Sequence, residues 1–124
     1  MEHHEATSSL ISIDKVVGTN VYNANGDSLG EIHDIMIDKL SGKVAYAVLS
    51  FGGFFELGEQ YHPLPWQTLS YDPHLGGYAI NMTKEQLEGA PAYTTDTEPP
   101  WGDRAYEKRI HQHYGTTPYW GDVT

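Results

Sequence analysis

Apolar and polar positions alternate in short runs over residues 10 to 82, with turn residues between them. A spacing of about 8 to 12 residues between turns is the pattern of an all-β domain. The runs are Thr19 to Asn23, Leu29 to Lys39, Val44 to Phe51, Gln60 to Leu64, Thr68 to Tyr71 and Tyr78 to Met82. Asn25-Gly26 tolerates positive φ at both positions and is a strong hairpin signal. Leu40-Ser41-Gly42-Lys43 and Asp72-Pro73-His74-Leu75-Gly76-Gly77 supply later turns. A meander of six short strands leaves two edges exposed when flat, so a small closed or partly closed six-stranded β-barrel is expected.

The second run contains a phase error. Leu29, Ile32, Ile35 and Ile37 cannot share one face at period 2, because the step from Ile32 to Ile35 is odd. One extra residue near His33-Asp34 restores the phase, which predicts a β-bulge there. The third run is apolar on both faces. Val44, Tyr46 and Val48 lie on one side, and Ala45, Ala47, Leu49 and Phe51 on the other. Something must cover this strand from outside.

The cover expected is the rest of the chain. Thr83-Lys84-Glu85-Gln86 fits a capping box and opens a short helix after the last strand, stopped by Gly89 and Pro91. Residues 91 to 124 hold 6 of the 15 aromatic residues, Tyr93, Trp101, Tyr106, Tyr114, Tyr119 and Trp120. Disordered tails are poor in aromatics, so this arm should be ordered and docked. Asp103 caps a helix running to about Tyr114, with Gly115 beyond it, and Tyr106, Ile110 and Tyr114 form an i, i+4, i+8 stripe. Pro99-Pro100 is a stiff spacer ahead of it. The expected organisation is an extended or disordered lead over 1–9, a barrel domain over 10–91 and an arm over 92–124 whose helix spans about 103–114.

Charge narrows the function classes. Seventeen acidic residues against 7 basic give a net charge of −10, and protonating all 7 histidines leaves it negative. Nucleic-acid binding draws on Lys and Arg contacts to phosphate, so no nucleic-acid partner is expected. The chain has no cysteine, which removes disulfides and thiolate chemistry together. The start, MEHHEATSSL, has neither a basic nor an apolar signal region, and no apolar run nears the roughly 20 residues of a membrane span. A cytoplasmic protein without membrane insertion is expected.

Candidate chemistry is sparse. Asp34 and Asp38, with Glu31 nearby, read as solvated strand residues better than as paired acid–base carboxylates or cation ligands. His111 and His113 diverge by about 200° on a helix and cannot share a metal, so both read as solvated. Adding His3-His4 as ligands has no support. Ser50-Phe51-Gly52-Gly53 lacks the GK[ST] end of a phosphate loop, and no serine nucleophile elbow is present. No catalytic residue, cofactor or metal is assigned. Phe54 and Phe55 cannot both point inward on an extended chain, so one fills the barrel or packs on the arm, or else anchors a partner. Phe54, Phe55, Leu57, Trp101, Tyr106, Ile110, Tyr114 and Trp120 are the partner-binding candidates.

The residues also carry a resemblance. Gly18-Thr19-Asn20-Val21-Tyr22-Asn23, Gly26 to Asp38 and Ser41 to Leu49 resemble the PRC-barrel domain, and Phe51-Gly52-Gly53-Phe54, His62-Pro63-Leu64-Pro65-Trp66 and Leu87-Glu88-Gly89-Ala90-Pro91 continue the likeness. It covers roughly residues 12 to 91 and is nearest to free-standing bacterial members, whose tails also carry spaced Tyr, Trp and Pro. The resemblance implies a small β-barrel. Family members include the cytoplasmic domain of the photosynthetic reaction-centre H subunit and the C-terminal domain of a ribosome-maturation factor, barrels that bind macromolecules without catalysis. Neither the membrane helix of the first nor the N-terminal domain of the second is expected here, so neither role is carried over.

The expectation is therefore a non-enzymatic protein-interaction or scaffold module, its partner unnamed. It should self-associate as a symmetric homodimer through the Phe54-Phe55 loop or the arm. The alternatives are a ligand- or metal-sensing barrel using Asp34, Asp38 or the histidines, and, by family analogy alone, an accessory adaptor of a photosynthetic or electron-transfer complex.

Overall fold

The computed structural model describes residues 9–52, 59–94, 96–97, 99 and 101–121. Its elements are α1 (Ile13–Val16), β1 (Asn20–Tyr22), β2 (Ser28–Ile37), β3 (Val44–Gly52), β4 (Glu59–Pro65), a 3-10 turn (Trp66–Thr68), β5 (Ser70–Asp72), β6 (Gly77–Ala79), α2 (Lys84–Glu88) and α3 (Arg104–Tyr114). The single turn α1 was not anticipated. One turn is too short to show helical periodicity in sequence.

The strands form one six-stranded sheet in the order β4-β3-β2-β1-β6-β5. The expected meander holds for antiparallel β1 to β4, but β6 then pairs parallel with β1 through Val21↔Tyr78 and Tyr22↔Ala79. Among the described residues β4 and β5 remain the two edges, so of the closed or partly closed barrel expected, the six-stranded sheet is present and a closed ring of hydrogen bonds is not. The chemistry of β4 explains this. Tyr61 N–H and C=O bond outward to Tyr93, at 2.8 and 2.9 Å. Backbone groups of residues 63 and 65 point the same way by strand alternation. Both residues are proline and have no N–H to give. The outer edge of β4 therefore accepts one bridge residue and no further strand. The run expected as a strand from Thr68 instead begins with the 3-10 turn, where Thr68 Oγ1 donates to Pro65 O at 2.7 Å.

The predicted bulge is present, with the β2·β3 register slipping between Ile32↔Leu49 and Asp34↔Val48 at His33. Ile32 is buried and Ile35 half-buried, but Ile37 is 49% exposed after a second slip between Met36 and Ile37. A further kink at Gly30 (φ 155°) tolerates no side chain, since a Cβ there would lie 2.0 Å from Ser50 O. The Asn23 side chain accepts from Asn25 N and Asp27 N at 2.9 Å and shapes the Asn25-Gly26 turn.

The inner core joins Val21, Leu29, Ile32, Ala47, Leu49, Phe51, Leu64, Tyr78, Ile80 and Leu87. A second cluster on the outer face joins Tyr46 to Tyr106 and Ile110, and Ala45, at the register slip between Tyr46 and Val44, packs with it rather than with Ala47 as the alternation expected. The two-faced β3 is thus covered as anticipated, by α3. Both expected caps form. Thr83 and Gln86 make a reciprocal capping box on α2, and Asp103 accepts from Ala105 N while Gly115 ends α3 in the left-handed region at φ 67°.

Candidate functional site

The arm does not rest on the sheet by apolar contact alone. The centre of the contact is Tyr46 of β3, 1% exposed, whose outward ring meets Glu107 and His111 of α3. These two sit one helical turn apart and share a face of α3 beside the Tyr106-Ile110-Tyr114 row. The Tyr46 hydroxyl donates to Glu107 Oε1 at 2.6 Å. Its one proton is then used, so at the 3.0 Å contact His111 Nε2–H must be the donor. His111 Nδ1 lies 2.8 Å from Thr116 Oγ1, a hydroxyl that donates to a neutral ring or accepts from a charged one. Burial favours the neutral ring, lowering the His111 pKa, while the Glu107 charge opposes it more weakly.

Glu107 is 1% exposed. Its other oxygen accepts from Gly102 N at 2.7 Å, and the Tyr119 hydroxyl faces the same carboxylate closely enough to have its pKa raised by it. A buried carboxylate is costly unless its lone pairs are satisfied. Here the Tyr46 hydroxyl and the Gly102 amide each satisfy one oxygen. Burial first, then the Glu107 contact, raises the Tyr46 pKa far above its ordinary value and pushes Tyr119 up to about 12. Both hydroxyls therefore stay protonated, and Tyr46 stays a donor. One barrel tyrosine in this way fixes three parts of the arm: the turn before α3, the helix itself and the segment after it.

Aromatic rings surround this wiring. Trp101 and Tyr119 each lie 5.8 Å from Tyr46 between ring centroids, and Trp120 lies 5.9 Å from His111. Arg104 stacks over Trp120 at 4.2 Å. Further ties hold the arm's flanks, including Gln67 Nε2 donating to Thr117 O at 2.8 Å and the Tyr61–Tyr93 bridge.

Of the partner-binding candidates, Tyr106 and Ile110 are buried against β3, and Tyr114, Trp101 and Trp120 are half-buried around them. Phe54, Phe55 and Leu57 lie outside the described residues. The reading of His111 as solvated is corrected, since it is 3% exposed and fully hydrogen-bonded. His113 is exposed as expected. Asp34 is exposed and bonds the Ile35 amide, while Asp38 accepts from Leu40 N and Ser41 N in the β2–β3 turn. That hydrogen bonding, led by Ser41, lowers the Asp38 pKa. Among the described residues no group of three or more His, Asp or Glu stands close enough to hold a metal ion, and no helix is long and apolar enough to cross a membrane.

Sheet and dock together define a small β-rich domain whose outer face is closed by its own C-terminal arm. The chain belongs to the PRC-barrel domain family, whose profile matches residues 9–87. The match contains Tyr46 but ends before α3, so the dock joins a family residue to an arm beyond the matched segment. The chain is also similar to an uncharacterized protein of Deinococcus radiodurans, 28% identical over 80 residues. That stretch is 64% of this chain and 28% of the other protein's length.

Proposed function

We propose that the protein is a non-enzymatic interaction or scaffold module that presents apolar surface to another protein. The observation that carries this reading is the segment around α1. Ile11, Ile13 and Val17 are 44%, 48% and 40% exposed, while only Val16 between them turns into the core. Single exposed apolar residues are ordinary, but several in one short segment mark a surface that another molecule covers. The polar groups of the dock support a structural role over a catalytic one. Tyr46, Glu107 and His111 are spent on one another beneath the arm, and the tyrosine is held protonated rather than activated. Family membership adds to the reading by analogy of fold.

The test is cross-linking and affinity recovery in the native cell with the wild-type chain and an Ile13→Asp variant. Ile13 is outward-facing, so the variant should keep its melting temperature. The reading predicts a defined protein recovered by the wild type and lost with the variant. Equal recovery by both, or no specific protein with either, would overturn it.

A further inference from the structure

Leu40, in the turn between β2 and β3, is the most exposed large apolar side chain among the described residues, at 98%. The turn beneath it is closely braced. Asp38 N donates to Lys43 O and Gly42 N to Asp38 O, both at 2.8 Å. The Asp38 carboxylate accepts from Leu40 N and Ser41 N, and Ser41 Oγ accepts from Lys43 N. Gly42 closes the turn in the left-handed region at φ 78°. Ile37, the last residue of β2, is 49% exposed at its base. This end of the sheet therefore holds two apolar side chains out in water on a fixed backbone. We propose that it is a docking knob for an acidic protein surface, with Leu40 entering an apolar pocket edged by carboxylates.

Charge selects that partner. A single exposed apolar residue is ordinary, and what sets Leu40 apart is its company. The start of α3 lies beside the turn, where the Arg104 charge reaches Asp38 and adds to the hydrogen bonds, Ser41's foremost, that lower the Asp38 pKa. Lys108 follows Arg104 by one helical turn on the same face. Residues 37–43 and 103–114 together hold 5 of the chain's 7 basic residues and 3 of its 17 acidic ones, a net +2. The rest of the chain keeps 2 basic and 14 acidic residues, a net −12. The three acids at the cationic end are turned inward, Asp38 to the turn, Asp103 to the cap of α3 and Glu107 to the buried dock. Lys39, Lys43, Arg104 and Lys108 are exposed. Complementary charge steers a partner to such an end and fixes its orientation. A nucleic-acid backbone would meet the cations but offers no apolar pocket for Leu40. An anionic membrane would meet the repulsion of the whole chain, whereas a protein can present its acidic patch to this end alone. The braced turn also spares the ordering cost that a loose loop would pay on binding.

The choice of a protein rests on the interaction reading above, but the face is a different one from α1. The experiment is an NMR titration of the full chain with a capped peptide, Glu-Glu-Leu-Phe-Glu-Glu, following the Leu40 methyls and the Gly42 amide. Saturable shifts with a dissociation constant on the order of millimolar are expected for so small a ligand. The same peptide with lysine for glutamate, or with serine for leucine and phenylalanine, should bind at least about fivefold more weakly. Leu40→Ser removes a side chain that packs on nothing, so it should keep the melting temperature and lose about tenfold in affinity, read at the Gly42 amide. Lys39→Glu with Lys43→Glu gives a second exposed variant, expected to lose at least about fivefold. Ile13→Asp should bind as the wild type does, which separates failure of the knob from failure of the α1 reading. Wild-type affinity in both folded knob variants, equal binding of the lysine peptide, dependence on Ile13, or no saturable shift would each overturn the site. Phosphatidylglycerol vesicles that perturb Leu40 where the acidic peptide does not would overturn the protein partner and put a membrane in its place.

Discussion

The two faces of β3 bury equally well by different means. On the inner face Ala47, Leu49 and Phe51 enter a core closed by apolar contact, and β4 adds Leu64 and His62 to it. On the outer face Tyr46 carries a chain of hydrogen bonds running through Glu107, His111 and Thr116. The two buried histidines mark the difference. His111 has both ring nitrogens partnered, whereas among the described residues His62, 0% exposed, has no hydrogen bond at either, though the Pro91 carbonyl lies close enough to favour its protonated form weakly. Burial dominates there, and the His62 pKa falls to about 4. Apolar burial supplies free energy without direction, while a satisfied polar network specifies register. The inner face holds the sheet together; the outer face places one arm in one position.

Truncating the inner face should have the largest effect. Leu49→Ala is expected to cost about 2–5 kcal/mol and to lower unfolding of sheet and arm together. Denaturant melts followed by far-ultraviolet circular dichroism and by tryptophan fluorescence check it. A loss confined to the arm would break the assignment of Leu49 to the shared core.

Acid should act next, through His62. Its folded-state pKa of about 4 lies below the ordinary 6.5, so between these values the unfolded chain holds the extra proton. Stability is fully present above about pH 6.5 and falls as pH drops towards 4, by up to about 3 kcal/mol from this group. The lowered pKa of His111 acts in the same direction. In thermal melts through that window, His62→Leu should gain on the wild type as pH falls. Parallel pH curves would mean that His62 is not held neutral.

The outer face should respond locally. Tyr46→Phe keeps the ring and removes the donor to buried Glu107, for an expected loss of about 1–3 kcal/mol. Hydrogen exchange should show it as faster opening of α3 with β1 to β4 little changed. Uniform loss of protection would place Tyr46 in the common core instead. Arg104→Ala is the smallest change. Removing its stack on Trp120 should cost about 0.5–1 kcal/mol, visible as a small shift in melting temperature.

Much of this was legible because it depends on spacing. The odd step from Ile32 to Ile35 located the bulge, the two-sided pattern of Val44 to Phe51 demanded a cover, and Asp103 and Gly115 bounded α3. The topology was less so. Pro63 and Pro65 say that β4 lies at an edge, but nothing local says that β6 joins β1 in parallel. The dock was hidden for a chemical reason. Glu107 and His111 are polar residues one turn apart, which reads as a solvated helix face, and their burial depends on a tyrosine 61 and 65 positions away. Their one signal was position, directly beside the apolar row of Tyr106 and Ile110.

The central claim is that the arm is docked on its own sheet around Tyr46, and nuclear Overhauser contacts in the full chain test it most directly. The account predicts contacts from the Tyr46 ring protons to side-chain protons of Glu107, His111 and Tyr119, with helical shifts over α3. Random-coil shifts from 104 to 114 and a Tyr46 ring without contacts to the arm would contradict it.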